Sequence, residues 1–397
     1  MDFYAEALKR HEATHGKVAI TSKQPIETRD DLSVAYTPGV AEPCRKIAEN
    51  PEDAYRYTCK ANTIAVVSNG TAVLGLGNIG AQASLPVMEG KSVLFKRFGG
   101  VDAFPICLDL TEPEDVIAAV KALAPSFGGI NLEDIKSPDC FGIEEALERD
   151  LDIPVFHDDQ HGTAIVVTAA LINALKVVNK NIDEVRVVLN GPGAAGTAII
   201  KMLLHAGVKD IVACDRKGIL VKGRESIKNH KVELVEITNP RGISGTLADA
   251  VKDADVFIGV STAGALTPEM IATMTTDPIV FAMANPTPEI SYDEGIAAGV
   301  AVMGTGRSDK PNQINNLLCF PGLFKGALAV RARDINYEMK LAAAKAIADL
   351  VGDEERGPEY IIPSALDERV ALAVAKAVAK TAVETGTARV ELPEELA

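Results

Sequence analysis

The sequence predicts an α/β protein of two domains, and three observations predict it. Strand-like apolar runs alternate with helical segments from residue 61 to about residue 310. Two glycine-rich turns of the form G-x-G-x-x-G, at Gly75–Gly80 and Gly191–Gly196, each follow an apolar run. The 397 residues correspond to two to three domains at about 150 residues each.

In chain order, residues 1 to about 60 are polar with short helical patterns. Strands are expected at 63–67, 71–74, 92–95, 104–108 and 153–156, with helices at 113–123 and 143–149. The second half is more regular. A helix over 163–178 precedes a strand at 185–189, a helix at 196–206 and a strand at 210–214. A helix at 243–251 and strands at 256–260, 279–283 and 298–302 complete a doubly wound pattern. Residues 322 to about 382 are Ala-rich and helical, and 366–383 repeats apolar residues at three- and four-residue spacing.

Composition removes several classes. Against 55 Asp and Glu stand 40 Lys and Arg, a net charge of −15, which argues against a nucleic-acid-binding surface. The six cysteines contain no C-x-x-C pair, so they read as free thiols of a reducing cytoplasm. The longest apolar stretch, 162–175, is shorter than the roughly 20 residues of a membrane span, and no secretory leader is visible. A cytoplasmic protein without membrane or nucleic-acid partners is expected.

Glycines at this spacing permit a tight turn, and the following helix offers free N–H groups to a pyrophosphate. The second turn has the better context. Gly191, Gly193, Ala194, Ala195 and Gly196 follow the strand at 185–189, and the next strand ends at Asp215, where an acid can accept from the ribose hydroxyls. The first turn is followed by Pro86, which should interrupt an early helix; it reads better as a close-packed turn. Asp215 argues for NAD, whereas Arg216 and Lys217 could admit the 2′-phosphate of NADP. The lean is to NAD. Residues 161–397 thus form a Rossmann-like doubly wound dinucleotide domain with C-terminal helices, and residues 1–160 an N-terminal α/β substrate domain. The helices of 322–397 are expected to pack back on the first domain.

Glu133-Asp134 and Asp158-Asp159 are adjacent acidic pairs at expected element ends. Carboxylates suit Mg²⁺ or Mn²⁺, and no Cys/His set suits zinc. His157 and His161 flank the second pair, but Asp-Asp-Gln between them is not a zincin pattern.

Taken together, the motifs resemble those of malic enzymes, especially the short bacterial and archaeal form. They are Val34 to Val40, Gly75 to Gly80, Pro86 to Lys91, Glu133 to Lys136, Phe156 to Thr163, Gly191 to Gly196, Ala284 to Thr287, and Asn315-Asn316 ahead of Phe320-Pro-Gly. The resemblance implies divalent-metal-dependent oxidative decarboxylation of L-malate to pyruvate and CO₂ with reduction of NAD or NADP, with oxaloacetate decarboxylation as a partial reaction. It implies Lys91 as the base at the C2 hydroxyl, with Asp158 beside it, and Tyr36 as the acid that protonates C3. Burial and a nearby cation would push Lys91 down from about 10.4. It implies Glu133, Asp134 and Asp159 as ligands of Mg²⁺ or Mn²⁺. Asn285 and Asn316 resemble the amide contacts to substrate, with Asn315 ranked below them and Asn285 also bordering the cofactor. Without the resemblance, Lys91 reads as a surface lysine, Tyr36 as a packing residue and Asn285 as a turn residue.

The larger animal enzymes carry a substrate-gripping arginine before the first glycine loop. This chain has Thr71-Ala-Val-Leu there, so Arg307 or the backbone around Gly75 and Gly77 must balance the substrate's charge. A homodimer or higher homo-oligomer is expected. The rival readings are a malolactic-type or other NAD-linked hydroxy- or amino-acid enzyme, and a non-catalytic dinucleotide sensor.

Overall fold

The computed structural model describes residues 2–397 except Leu74 and Asn229. Two parallel sheets organise the chain. The first holds β1 (Thr63–Ser68), β2 (Asp102–Cys107), β3 (Gly129–Leu132) and β4 (Val155–His157) in the order β2-β1-β3-β4. The second holds β5 (Arg186–Asn190), β6 (Asp210–Asp215), β7 (Gly218–Ile219), β8 (Val256–Gly259), β9 (Ile279–Ala282) and β10 (Val302–Thr305), in the order β10-β9-β8-β5-β6-β7. Among the described strands only the short pairing of β6 with β7 is antiparallel. Strands covered on both faces read as unbroken apolar runs, as β1 and β8 do.

Strand order reverses beside β1 in the first sheet and beside β5 in the second. Carboxyl ends at such points open a crevice. The first collects Glu133, Asp134, Asp158 and Asp159, and the second collects the Gly191–Gly196 turn.

Helix Asp158–Val177 runs through the centre with most of its residues buried. The C-terminal helices reach the first sheet's layer through aromatic contacts. Phe320 and Phe324 pack on Phe95 at ring-centroid distances of 4.6 and 5.5 Å, and Phe324 meets Phe156 edge-on at 5.9 Å. No residue of helices Phe3–Thr14, Arg29–Ala35 and Ala41–Glu49 is buried.

Several local expectations need correction. Residues 92–95 are the end of a helix, not a strand, because Ala81–Leu94 continues through Pro86. Pro86 is the sixth residue of that helix, which continues through it with one backbone bond forgone, and the short apolar run carried no period of its own. Residues 71–73 form no strand, and Leu74 lies outside the described residues. Strand β3 was not anticipated, since Gly129 and Asn131 break its apolar run. Helix 243–251 shortens to Leu247–Val251, started by a Thr246/Asp249 capping box. The strand expected at 298–302 runs instead over Val302–Thr305, after a helix Tyr292–Ala297 capped by Ser291 and Glu294.

Candidate active site and dinucleotide crevice

Four elements converge on one buried cluster. Strand β3 ends into Glu133 and Asp134, and β4 ends into Asp158 and Asp159 at the start of helix Asp158–Val177. Helix Ala81–Leu94 brings Lys91, and the turn Asn316–Leu318 brings Asn316. Lys91 Nζ donates to Asp158 Oδ2 at 2.5 Å and lies 2.9 Å from Glu133 Oε1. Asn316 Nδ2 donates to the same Asp158 oxygen at 2.5 Å. The Asp134 backbone N–H donates to Asp159 Oδ2 at 2.8 Å, and Asn131 Nδ2 donates to Glu133 Oε2 at 2.9 Å. Phe320 covers Lys91, its ring centroid 4.1 Å from Nζ, so the ammonium has both a carboxylate wall and an aromatic one.

Burial dominates the electrostatics. It pushes Glu133 up to about 7 against the pull of Lys91. Asp134 rises to about 8 and Asp159 to about 6, burial leading in both and neighbouring carboxylates adding. Asp158 rises to about 7 from burial despite Lys91. For Lys91 burial lowers the pKa, but Asp158 and Glu133 together outweigh it and hold the ammonium above the ordinary lysine range. The sign is opposite to the sequence expectation because that expectation included a cation, which this carboxylate pair does not replace.

Carboxylate oxygens of Glu133, Asp134 and Asp159 lie within 4.8 Å of one another. Asp134 Oδ2 and Asp158 Oδ1 are buried without a hydrogen-bond partner. Three hard oxygen donors that repel one another, one with an orphaned atom, fit a divalent cation such as Mg²⁺ or Mn²⁺. His157 and His161 stand outside this set. His161 instead faces the Glu144 carboxylate at 3.0 Å.

The remaining candidates divide. Gly75 and Gly77 lie in a loop with φ of +71° and +74°. A Cβ on Gly75 would come 3.8 Å from Pro286, whereas at Gly77 nothing lies within 4 Å. The first glycine loop therefore faces the Asn285-Pro286 turn of the other sheet's layer, with open space beside it. Asn285 borders Gly306, where an added Cβ would lie 3.3 Å from Asn285 Nδ2. Asn315 commits its side-chain oxygen to the Leu317 N–H at 2.9 Å, a capping role. Arg307 is exposed and paired bidentately with Asp309, which leaves it poorly suited to balance a substrate. Tyr36 is 69% exposed, and its side chain makes no hydrogen bond to the buried cluster among the described residues.

At the second crevice Gly191 takes φ +104° and Gly193 precedes helix Ala194–His205. Gly196 packs so closely that a Cβ there would lie 2.2 Å from the Gly191 carbonyl oxygen. Ala194 and Ala195 form the first turn of that helix. A cavity of about 730 Å³ opens here, lined by Gly191, Gly193, Asp215, Arg216, Lys231 and Ser261 among others. Asp215 Oδ2 accepts from Arg224 Nη2 at 2.7 Å and Lys231 Nζ at 2.8 Å, and Oδ1 accepts the Lys217 N–H at 2.9 Å. Burial works against its charge, but Lys231 and Arg224 hold its pKa below the usual carboxylate range. Sequence reasoning missed Arg224 and Lys231. Arg224 lies on an irregular stretch after β7 and Lys231 opens helix Lys231–Ile237, and no spacing marks either of them.

Comparison with known proteins adds independent findings. Residues 15–148 match the sequence family described as malic enzyme, N-terminal domain, and residues 160–383 match malic enzyme, NAD binding domain. The chain is 57% identical over 399 residues to the bifunctional malic/malolactic enzyme of Bacillus subtilis, covering 100% of this chain and 97% of that one. It is 58% identical to the NAD-dependent malic enzyme of Geobacillus stearothermophilus over 94% of this chain and 78% of that one. The crystal structure of malic enzyme from Pyrococcus horikoshii superposes with a TM-score of 0.93 at 50% identity, covering 97% of this chain and 93% of that one.

Proposed function

This chain belongs to the malic enzyme family and is an NAD(P)-dependent oxidoreductase that decarboxylates malate oxidatively, and we propose how its residues divide that reaction. Lys91 Nζ takes the proton of the malate C2 hydroxyl while the C2 hydride passes to the nicotinamide. Asp158 and Glu133, which hold Nζ from two sides, aim it. Glu133, Asp134 and Asp159 would hold Mg²⁺ or Mn²⁺, which when bound supplies positive charge opposite the negative charge developing at the C2 oxygen and draws Lys91 towards its neutral form. As the bond from C3 to the departing carboxylate breaks, its electron pair moves into C2–C3, the C2 carbonyl π pair moves onto its oxygen, and CO₂ leaves. The hydroxyl of Tyr36 then protonates C3. Asn316 and Asn285 border the substrate, and the open backbone of Gly75 and Gly77 replaces the missing arginine.

The observation that supports this assignment most strongly is Lys91. A lysine 8% exposed, held by two carboxylates at the edge of a three-carboxylate cluster, is a costly arrangement for a merely structural role. Replacing Lys91 with Ala should abolish malate oxidation and leave dinucleotide affinity nearly intact. Unchanged turnover would sink the assignment.

For the dinucleotide we favour NAD. Asp215 stays ionised at the end of β6, where it meets ribose hydroxyls, while the surrounding cations weaken discrimination against NADP. Comparing kcat/KM with the two dinucleotides tests this. We place the protein in the cytoplasm; no helix among the described residues is long and apolar enough to cross a membrane. We propose that it works as a homodimer. The N-terminal helices bury nothing, and Phe3, Tyr4, Leu8, Leu32, Val34 and Tyr36 are all exposed. Such a face is covered in an oligomer, and Tyr36 reaches a cleft only if that face docks on one, so Tyr36 serves the neighbouring copy. Sedimentation as a monomer with full activity would contradict this.

A further inference from the structure

Glu144 lies outside the acid cluster, on helix Asp139–Asp150, and has no part in the chemistry above. Its side chain is buried, with the residue 5% exposed, and its carboxylate is fully engaged. Oε1 accepts the His157 N–H at 2.8 Å, and Oε2 accepts from Gln160 Nε2 at 2.8 Å and faces His161 Nε2 at 3.0 Å. These three residues bracket Asp158 and Asp159 on both sides. They form the junction where β4 hands over to helix Asp158–Val177, a helix that starts without a side-chain cap of its own.

A carboxylate is favoured at a helix N-terminus, where unpaired N–H groups point outward. Glu144 therefore acts as a cap supplied from another element. Burial opposes its charge, yet the hydrogen bond to His161 and the nearby Lys340 hold its pKa below the usual carboxylate range. Lys340 belongs to helix Tyr337–Asp349 and is itself 5% exposed, its Nζ 5.9 Å from the Phe156 ring centroid. An apolar side chain could fill the same space, but it could not fix the direction of three donors.

We propose that Glu144 is a positioning residue for the Asp158–Asp159 pair, fixing the junction 157–161 so that Asp159 keeps its place among the metal-binding carboxylates and Asp158 its place on Lys91. The proposal rests on the reading of Glu133, Asp134 and Asp159 as a divalent-cation site. Outer partners of this kind commonly hold a tenfold to hundredfold share of metal affinity, by about that order of magnitude.

The test is a titration of the full-length protein with Mn²⁺ alone, read by electron paramagnetic resonance of free Mn²⁺, for the parent, Glu144→Ala, Glu144→Gln and Asp159→Ala. Dinucleotide affinity and melting temperature are measured alongside. Glu144→Ala should bind Mn²⁺ about 10- to 100-fold more weakly, with dinucleotide affinity within about twofold of the parent. Glu144→Gln keeps an acceptor for the His157 N–H but opposes Gln160 with a second amide, so it should fall between the two. It also keeps the test readable if the alanine variant does not fold. Parent-like Mn²⁺ affinity in the Glu144 variants, with a lowered melting temperature and with binding lost in Asp159→Ala, would mean that Glu144 only holds the fold. A parent that binds no Mn²⁺ would overturn the cation site itself, and this proposal with it.

Discussion

Gly162 offers a test in which two physical effects point in opposite directions. It is the fifth residue of helix Asp158–Val177, and by intrinsic propensity Gly→Ala within a helix stabilises by about 1 kcal/mol. A Cβ at this position, however, would lie 1.9 Å from Asp158 Oδ1, 2.9 Å from its Cγ and 3.2 Å from Asn316 Cβ. Ordinary contact begins at 3.4 Å, so the carboxylate must move by roughly 1.5 Å to make room. Its other oxygen holds Lys91 and Asn316, each at 2.5 Å. Hydrogen bonds to charged groups are worth about 1.5–3 kcal/mol each, so losing even one cancels the propensity gain. Displacement of a catalytic group by about 1 Å costs on the order of 100-fold in rate. Gly162→Ala should therefore lower kcat for malate oxidation by about 100-fold, with a melting temperature no higher than the parent's and unchanged dinucleotide affinity. Measured by absorbance of the reduced dinucleotide at saturating malate, a kcat within threefold of the parent would refute the claim that Asp158 must stay where it is.

Other outcomes follow from the same geometry. If Tyr36 serves the neighbouring copy, mixing inactive Lys91→Ala with inactive Tyr36→Phe should restore part of the activity on subunit exchange, and no recovery would place both residues in one chain's cleft. Gly196→Ala, whose methyl would meet the Gly191 carbonyl oxygen at 2.2 Å, should weaken dinucleotide binding by more than tenfold in a fluorescence titration while Mn²⁺ binding persists.

The parts of the fold that were legible from residues alone are those where one physical signal dominates. Strands β1, β5, β6, β8 and β9 are unbroken apolar runs because both faces are covered. The Gly191–Gly196 turn announces itself because backbone must approach backbone there. Strand β3 escaped notice because Asn131 is buried for a local reason, its bond to Glu133. Residues 92–95 misled because three apolar residues in a row have no readable period. In the site, acid identities were visible but their partners were not. Nothing along the chain says that Lys91 sits between Asp158 and Glu133, that Arg224 and Lys231 clamp Asp215, or that Asp309 occupies Arg307. Those pairings are set by where strands end in three dimensions.

On the assignment proposed above, malate is oxidised and decarboxylated at the cluster around Lys91. Product balance with malate, Mn²⁺ and NAD tests it most directly, for the parent and for Lys91→Ala. The parent should give one pyruvate for each reduced dinucleotide and no lactate, and the variant neither product. Lactate formed without net reduction of dinucleotide, or pyruvate formed at the parent rate by Lys91→Ala, would contradict it.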